Sequence, residues 1–292
     1  MLEHRHGEQA PRRVVVIGAQ GFVGRAVLRR CQAAGMTVLG VGRAEVDLLA
    51  ARAADKLAAL LRPGDAVVTA AAIAPCKNAD MLVDNMVLAR TLVRALAAVD
   101  VSHVVNISSD AVYADSDQPL TEDSPRAPGS LHGVMHLARE LMFADGLRVP
   151  IATLRPTLLY GPDDPHNGYG PNRFLRLAQK GEPIALFGQG EERRDHVFIE
   201  DLAELTASVL LRESQGALNV ASGEVRSFHS IAEDAIRLAA SGSRIESLPR
   251  SGPMPHNGYR PFDISACRRA FPAFRYTDFD AGLARSLRKA ST

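Results

Sequence analysis

The glycine-rich turn Gly18-Ala19-Gln20-Gly21-Phe22-Val23-Gly24 constrains this chain more than any other feature. It follows Val14-Val15-Val16-Ile17, a β-branched run of strand character, and opens a helical pattern over residues 22–34 that stops at Gly35. Strand, tight turn and helix in that order begin a β-α-β unit. Glycines there let backbone N–H groups approach a pyrophosphate, and the helix start adds unpaired donors and partial positive charge. Gly24 lets the helix lie close on the sheet. Three glycines alone also serve ordinary turns and packing, so it is the strand–turn–helix setting that points to a dinucleotide.

The alternation continues beyond the first unit. Residues 37–41, 66–69, 103–107 and 151–154 read as strands, and 79–99 as a long helix. Short strands alternating with helices predict an α/β fold: a Rossmann-type doubly wound parallel sheet covered on both faces. From residue 161 to 171 the chain is rich in Gly, Pro, Asp and Asn, a loop composition. Helical stretches follow at 172–180, 199–211 and 227–240. The expected division is a dinucleotide-binding domain over 12–165, rejoined by segments near 195–225. Residues 166–292 then form mainly a smaller C-terminal substrate-binding lobe, closing over the carboxyl ends of the strands.

The bulk properties exclude several classes of function. A formal net charge of +1 over 292 residues gives no electrostatic case for nucleic acid or an anionic membrane surface. No apolar run reaches the ~18–20 residues of a membrane span. Met1 to Arg13 is polar and lacks the apolar core of a secretory signal, so it reads as a disordered leader. Cys31, Cys76 and Cys267 are odd in number and widely spaced, which argues against a disulfide framework or a cysteine-based metal site. The expectation is a cytoplasmic protein without a bound metal.

The tip of the second strand, Val41-Gly42-Arg43, bears on the choice of dinucleotide. An acid there would bind a ribose 2′-hydroxyl, whereas an arginine accommodates a 2′-phosphate. Arg43 therefore favours NADP over NAD, against the plain alternative of a solvated surface arginine.

Taken together, these and later segments resemble the extended short-chain dehydrogenase/reductase family of nucleotide-sugar epimerases, dehydratases and reductases, over almost the whole chain. The glycine turn is similar to the family's cofactor turn. Asp47-Leu48 resembles its adenine-contacting pair, Ala70-Ala71-Ala72 the small-residue run along the dinucleotide, and Asn85 its helix asparagine. The segment from Ile107 to Tyr113 resembles the one that carries the catalytic Ser or Thr, which falls on Ser109. Leu154-Arg155-Pro156 through Tyr160-Gly161-Pro162, Arg193-Arg194-Asp195 with Asp201, Asn219-Val220 and Arg260-Pro261 match further motifs in order. The resemblance implies NADP or NAD as cofactor and a nucleotide-sugar substrate. It implies a substrate region including Asp110, Tyr113 and Tyr160, with Arg194 and Arg260 on the phosphates, where a guanidinium fork suits two oxygens at once. A homodimer through the 79–99 helix and the one beginning near Leu131 is a further implication; core packing also accounts for their apolar stripes.

One departure matters most. The family's Tyr, followed four residues later by Lys, is here His132 and His136. Three readings compete. His132 can exchange the proton itself, its ordinary pKa of ~6.5 lying near working pH, while His136 orients the cofactor ribose. Alternatively, the protein binds cofactor without catalysis, as a sensor or inactive homologue. The third reading is a metal held on the stripe of His132, His136 and Glu140. The Asp-Glu pair of related dehydratases is Asp110-Ala111, which disfavours water elimination and leaves epimerisation or keto-sugar reduction.

Overall fold

The computed structural model describes residues 1–289. In chain order the elements begin β1 (Val14–Ile17), α1 (Phe22–Ala33), β2 (Val38–Val41), α2 (Ala53–Leu60), β3 (Ala66–Thr69), α3 (Ala79–Ala97) and β4 (His103–Ile107). They continue α4 (Leu131–Gly146), β5 (Ile151–Pro156), β6 (Leu158–Tyr160), α5 (Pro171–Lys180), β7 (Ile184–Phe187), β8 (Arg193–Phe198), α6 (Ile199–Leu211) and β9 (Gly216–Val220). The last are β10 (Val225–Ser227), α7 (Phe228–Leu238), β11 (Ile245–Leu248), β12 (Tyr259–Arg260), α8 (Ser265–Ala270) and α9 (Phe279–Lys289).

Six strands form the expected parallel sheet in the order β2-β1-β3-β4-β5-β9. The strand order turns back on itself at β1, which has β2 on one side and β3 on the other. That is the switch point at which such sheets open a crevice. The inner strands β1 and β3 are buried on both sides, which is why they read as unbroken apolar runs rather than alternating ones. One face is packed by α1 and α6 through Val27, Cys31, Leu202 and Leu205. The other is packed by α2, α3 and α4 through Leu57, Leu92, Leu96 and Phe143.

A second sheet is built around β8, flanked by antiparallel β10 and parallel β12, with β6 also pairing in parallel. β7 and β11 form a separate parallel pair. Tyr160, Phe174, Phe198, Phe228 and Phe279 make the aromatic core where α5, α7 and α9 meet.

Two expectations are corrected here. Residues 1–9 are not a disordered leader. Glu3 exchanges both backbone hydrogen bonds with Gln215 at 2.8 Å, and His4 bridges Ser214 Oγ and the Ala270 carbonyl, each at 2.8 Å. Tyr160 does not line a substrate cleft: it is sealed in the aromatic core, its hydroxyl donating to the Phe279 carbonyl. Burial pushes that phenol far above its ordinary range. Among the described residues, no helix is long and apolar enough to cross a membrane.

Candidate active site

The crevice beside β1 holds a cavity of about 290 Å³. Its wall includes Gly18, Gln20, Gly21, Arg43, Asp47, Leu48, Ala70, Ala71 and Ala72, nine of the residues the sequence pattern assigns to the cofactor. Ile17, Val41, Gly42, Val46, Leu49, Ile73 and Leu88 also line it; the last four were missed, because apolar side chains on a loop and a helix carry no motif. Gly18 has a φ of +88°, and a Cβ there would lie 2.6 Å from the Ala71 nitrogen. The turn and the alanine run thus touch through bare backbone. A Cβ on Gly24 would lie 2.1 Å from the Gly18 carbonyl, so this glycine is what lets α1 start directly beneath the turn. Phe22, Val23 and Gly24 support the turn from α1 and do not form the cavity wall.

Asn85 also acts indirectly. Its amide donates to the Ile73 carbonyl at 3.0 Å and accepts from the Ile73 N–H at 2.9 Å, pinning the loop after β3 rather than facing the cavity. At the end expected to take the ribose, the exposed Arg43 guanidinium is paired with Asp47 at 3.2 Å. The carboxylate offsets the charge that was expected to select a 2′-phosphate.

Beyond the cavity, Ser130 caps α4 by accepting from the Gly133 N–H at 3.2 Å. Gly133 is packed so tightly that a Cβ would lie 2.1 Å from the Ala111 carbonyl, which seats the helix start on the segment after β4. His132 is half-buried there and His136 fully buried, their rings meeting edge to face with centroids 4.7 Å apart. Burial lowers the His132 pKa, partly opposed by the Asp110 charge. Burial, His132 and Arg139 together hold His136 neutral, and its Nδ1 has no partner among the described residues. A buried nitrogen left open in this way fits a ribose hydroxyl.

Ser109 caps a single 3₁₀ turn at 110–112, accepting from the Ala111 N–H at 3.1 Å and donating to Asp110 at 3.3 Å. Asp110 and Tyr113 were expected to face substrate, and neither is free to. Asp110 is buried and accepts from Arg260 Nε at 2.9 Å. The Tyr113 hydroxyl donates to Asn219 at 2.7 Å and accepts from Arg155 at 2.7 Å. Arg155 also grips Glu140 through two bonds, at 3.0 and 2.8 Å, and Ser108 donates to the same carboxylate at 2.6 Å. Glu140 is therefore committed to a buried ion pair, not to a metal stripe with the two histidines.

The two phosphate candidates sit in register on neighbouring strands, Arg260 on β12 opposite Arg194 on β8. Arg194 is half-buried and makes one 3.4 Å contact with Glu192, leaving most of its donors open. Arg260 differs. It is buried, and its donors go to the Asp110 side chain and carbonyl and to Asp115, so its expected phosphate role is not supported by this geometry.

A parallel sheet with a bare-backbone turn at its switch point, and a pair of titratable side chains on the helix beyond, defines a dinucleotide-binding α/β protein. The model of the NAD dependent epimerase/dehydratase family matches residues 14–221, and the chain belongs to that family. A UDP-glucose 4-epimerase of Mycolicibacterium smegmatis is 29% identical over 226 residues, covering 66% of this chain and 71% of that protein. A UDP-N-acetyl-alpha-D-glucosaminuronate decarboxylase of Bacillus cytotoxicus is 27% identical over 165 residues, covering 52% of this chain and 51% of its own length. In fold, the chain is similar to the UDP-glucose 4-epimerase of Thermus thermophilus crystallised with NAD, at a TM-score of 0.82 and 23% identity. That match covers 95% of this chain and 98% of the other.

Proposed function

We propose that the protein is an NAD(P)-dependent epimerase or keto-sugar reductase acting on a nucleoside-diphosphate sugar, with His132 in place of the usual tyrosine. The observation that carries this is the position of half-buried His132 at the start of α4, which Gly133 seats against the turn that Ser109 caps, one turn before His136. The nucleotide-sugar relatives supply the substrate class. The bound dinucleotide would supply the hydride acceptor or donor.

The chain's own part is to handle the proton and hold the ends of the substrate. The Cys76 N–H approaches His132 Nδ1 at 3.4 Å, which assigns the resting ring's own proton to Nε2. To take the substrate's proton at Nε2 in oxidation, the neutral ring must carry its own proton on Nδ1, so Nδ1 first releases the Cys76 N–H, and so long a contact costs little to break. The imidazolium formed, with a proton on each nitrogen, returns the Nε2 proton to the substrate oxygen when hydride comes back in reduction. Ser109 would donate to the same oxygen, and Arg194 would grip the diphosphate. His136 would meet the nicotinamide ribose through its open Nδ1, as a neutral partner rather than a cation.

A homodimer through α3 and α4 belongs to the same reading, supported by exposed Val83, Leu131, Val134 and Leu141 on those helices. A cytoplasmic setting fits the three free, buried cysteines. The test is to mix the protein, loaded with oxidised or reduced cofactor, with a panel of UDP-, GDP- and dTDP-sugars and their keto forms, following loss of reduced-nicotinamide absorbance for reduction and the product sugar by chromatography for epimerisation. One substrate should turn over, and His132→Phe should abolish the signal while leaving cofactor affinity in place. Undiminished turnover in H132F would sink the assignment.

A further inference from the structure

A tyrosine becomes an anion when it gives up its proton, so a neighbouring cation helps it. A histidine becomes a cation when it takes one up, so a neighbouring cation hinders it and a carboxylate helps. The groups around His132 follow the second rule. On its own helix, His136 fills the lysine position and is neutral. Arg139, the next cation along α4, is turned away, with its two terminal nitrogens on the Thr69 and Ala71 carbonyls at 2.7 Å each. From the loop after β3 comes the Cys76 N–H, while the Cys76 thiol points to the Asn78 carbonyl at 3.8 Å.

The facing segment brings the opposite charge. Asp110 is buried on the turn against which Gly133 seats the start of α4. Arg260 Nε holds one of its oxygens at 2.9 Å and Ser109 the other at 3.3 Å, which fixes the carboxylate in place. Arg260 is shared with Asp115 at 3.0 Å, and Asp115 also meets His256 and lies within the field of Arg194, so the Arg260 guanidinium is divided between two carboxylates. The Asp110 charge acts on His132 in the direction that favours protonation.

We infer that Asp110, clamped by Arg260, is the positioning group that lets His132 carry a proton, so that this site runs on the reverse charge arrangement of a tyrosine–lysine pair. The inference rests on the proposed function above, and it gives Arg260 a role in place of phosphate binding. It also accounts for a neutral His136 beside His132: a lysine at that place would oppose the imidazolium that His132 must form.

The test is an NMR titration of the His132 ring in the full-length protein, with and without NAD. Asp110→Asn should lower the midpoint by about 0.5 pH unit or more, a shift typical of losing one nearby partly screened charge. Asp115→Asn, which removes a carboxylate from Arg260 but not from the face of His132, should move it less. The double variant D110N/R260Q deletes both halves of the ion pair and serves where the single variant does not fold; it too should lower the midpoint. An unmoved midpoint in whichever of the two folds overturns the inference. A D110N shift accompanied by full turnover in H132F overturns the proposed function, and the inference with it, by a separate route.

Discussion

In the cavity beside β1 the wall is mostly backbone and small or apolar side chains, joined by Gln20, Arg43 and Asp47, while the start of α4 is surrounded by titratable groups. In the first region the limits are steric: Gly18 lies against Ala71, and Gly24 lies under the Gly18 carbonyl. In the second they are electrostatic: two neutral histidines, a clamped carboxylate and a cation turned aside. Steric requirements admit almost no replacement, so they leave a fixed pattern of residues. Electrostatic requirements can be met by different residues, provided that the charges change together.

Four experiments break or sharpen that contrast. The largest effect belongs to the steric end. Gly24→Val places a side chain where even a Cβ meets a carbonyl, and should cost about 3 kcal/mol or more, read as a lowered urea midpoint with loss of NADH fluorescence binding. Next, His132→Phe should lower turnover about 100-fold or more while leaving the cofactor dissociation constant within about threefold. Equal losses in both would erase the distinction between the two ends.

The third effect concerns buried neutral histidines generally. Burial lowers the His196 pKa to about 3, so the unfolded chain binds the extra proton first. That stability is fully present above the unfolded value of ~6.5 and is lost progressively as pH falls toward the folded one. Acidification from pH 7 to 5 should therefore remove about 2 kcal/mol through His196 alone. His136 and His103, also lowered by burial, act in the same direction. Urea unfolding of the parent and His196→Gln at both pH values measures the difference, and a parent equally stable at both would refute it. The smallest effect is at the ribose. Arg43→Ala should weaken NADPH relative to NADH by about threefold to tenfold, since its ion pair with Asp47 is exposed and screened. Competitive titration of the two cofactors reads that ratio.

The same contrast explains what could be read from residues alone. β1, β3 and β4 fall where the apolar runs predict them, because a strand buried on both faces has to be apolar throughout. The helix α2 went unseen, being short and alanine-rich with no capping side chain at its start. The helices α8 and α9 were missed too, α8 being only one to two turns long. In the site, the glycine turn and the alanine run were legible because bare backbone demands small residues. The destinations of Tyr113, Tyr160 and Arg260 were not. Whether an aromatic or an arginine points into a cleft or a core depends on partners such as Asn219, Phe279 and Asp110, more than 100 residues away in the chain.

The docking of the first residues has a consequence for how the protein behaves in company. A sheet that ends in an unpaired strand offers a template for another chain to extend. Here the backbone at Glu3 occupies the chain leading into β9, and a Cβ on Gly216 would lie only 2.3 Å from the Met1 carbonyl, so the strap lies flush on the sheet margin. A protease that trims those residues would expose a sticky border, and the expected result is loss by aggregation long before any loss of chemistry.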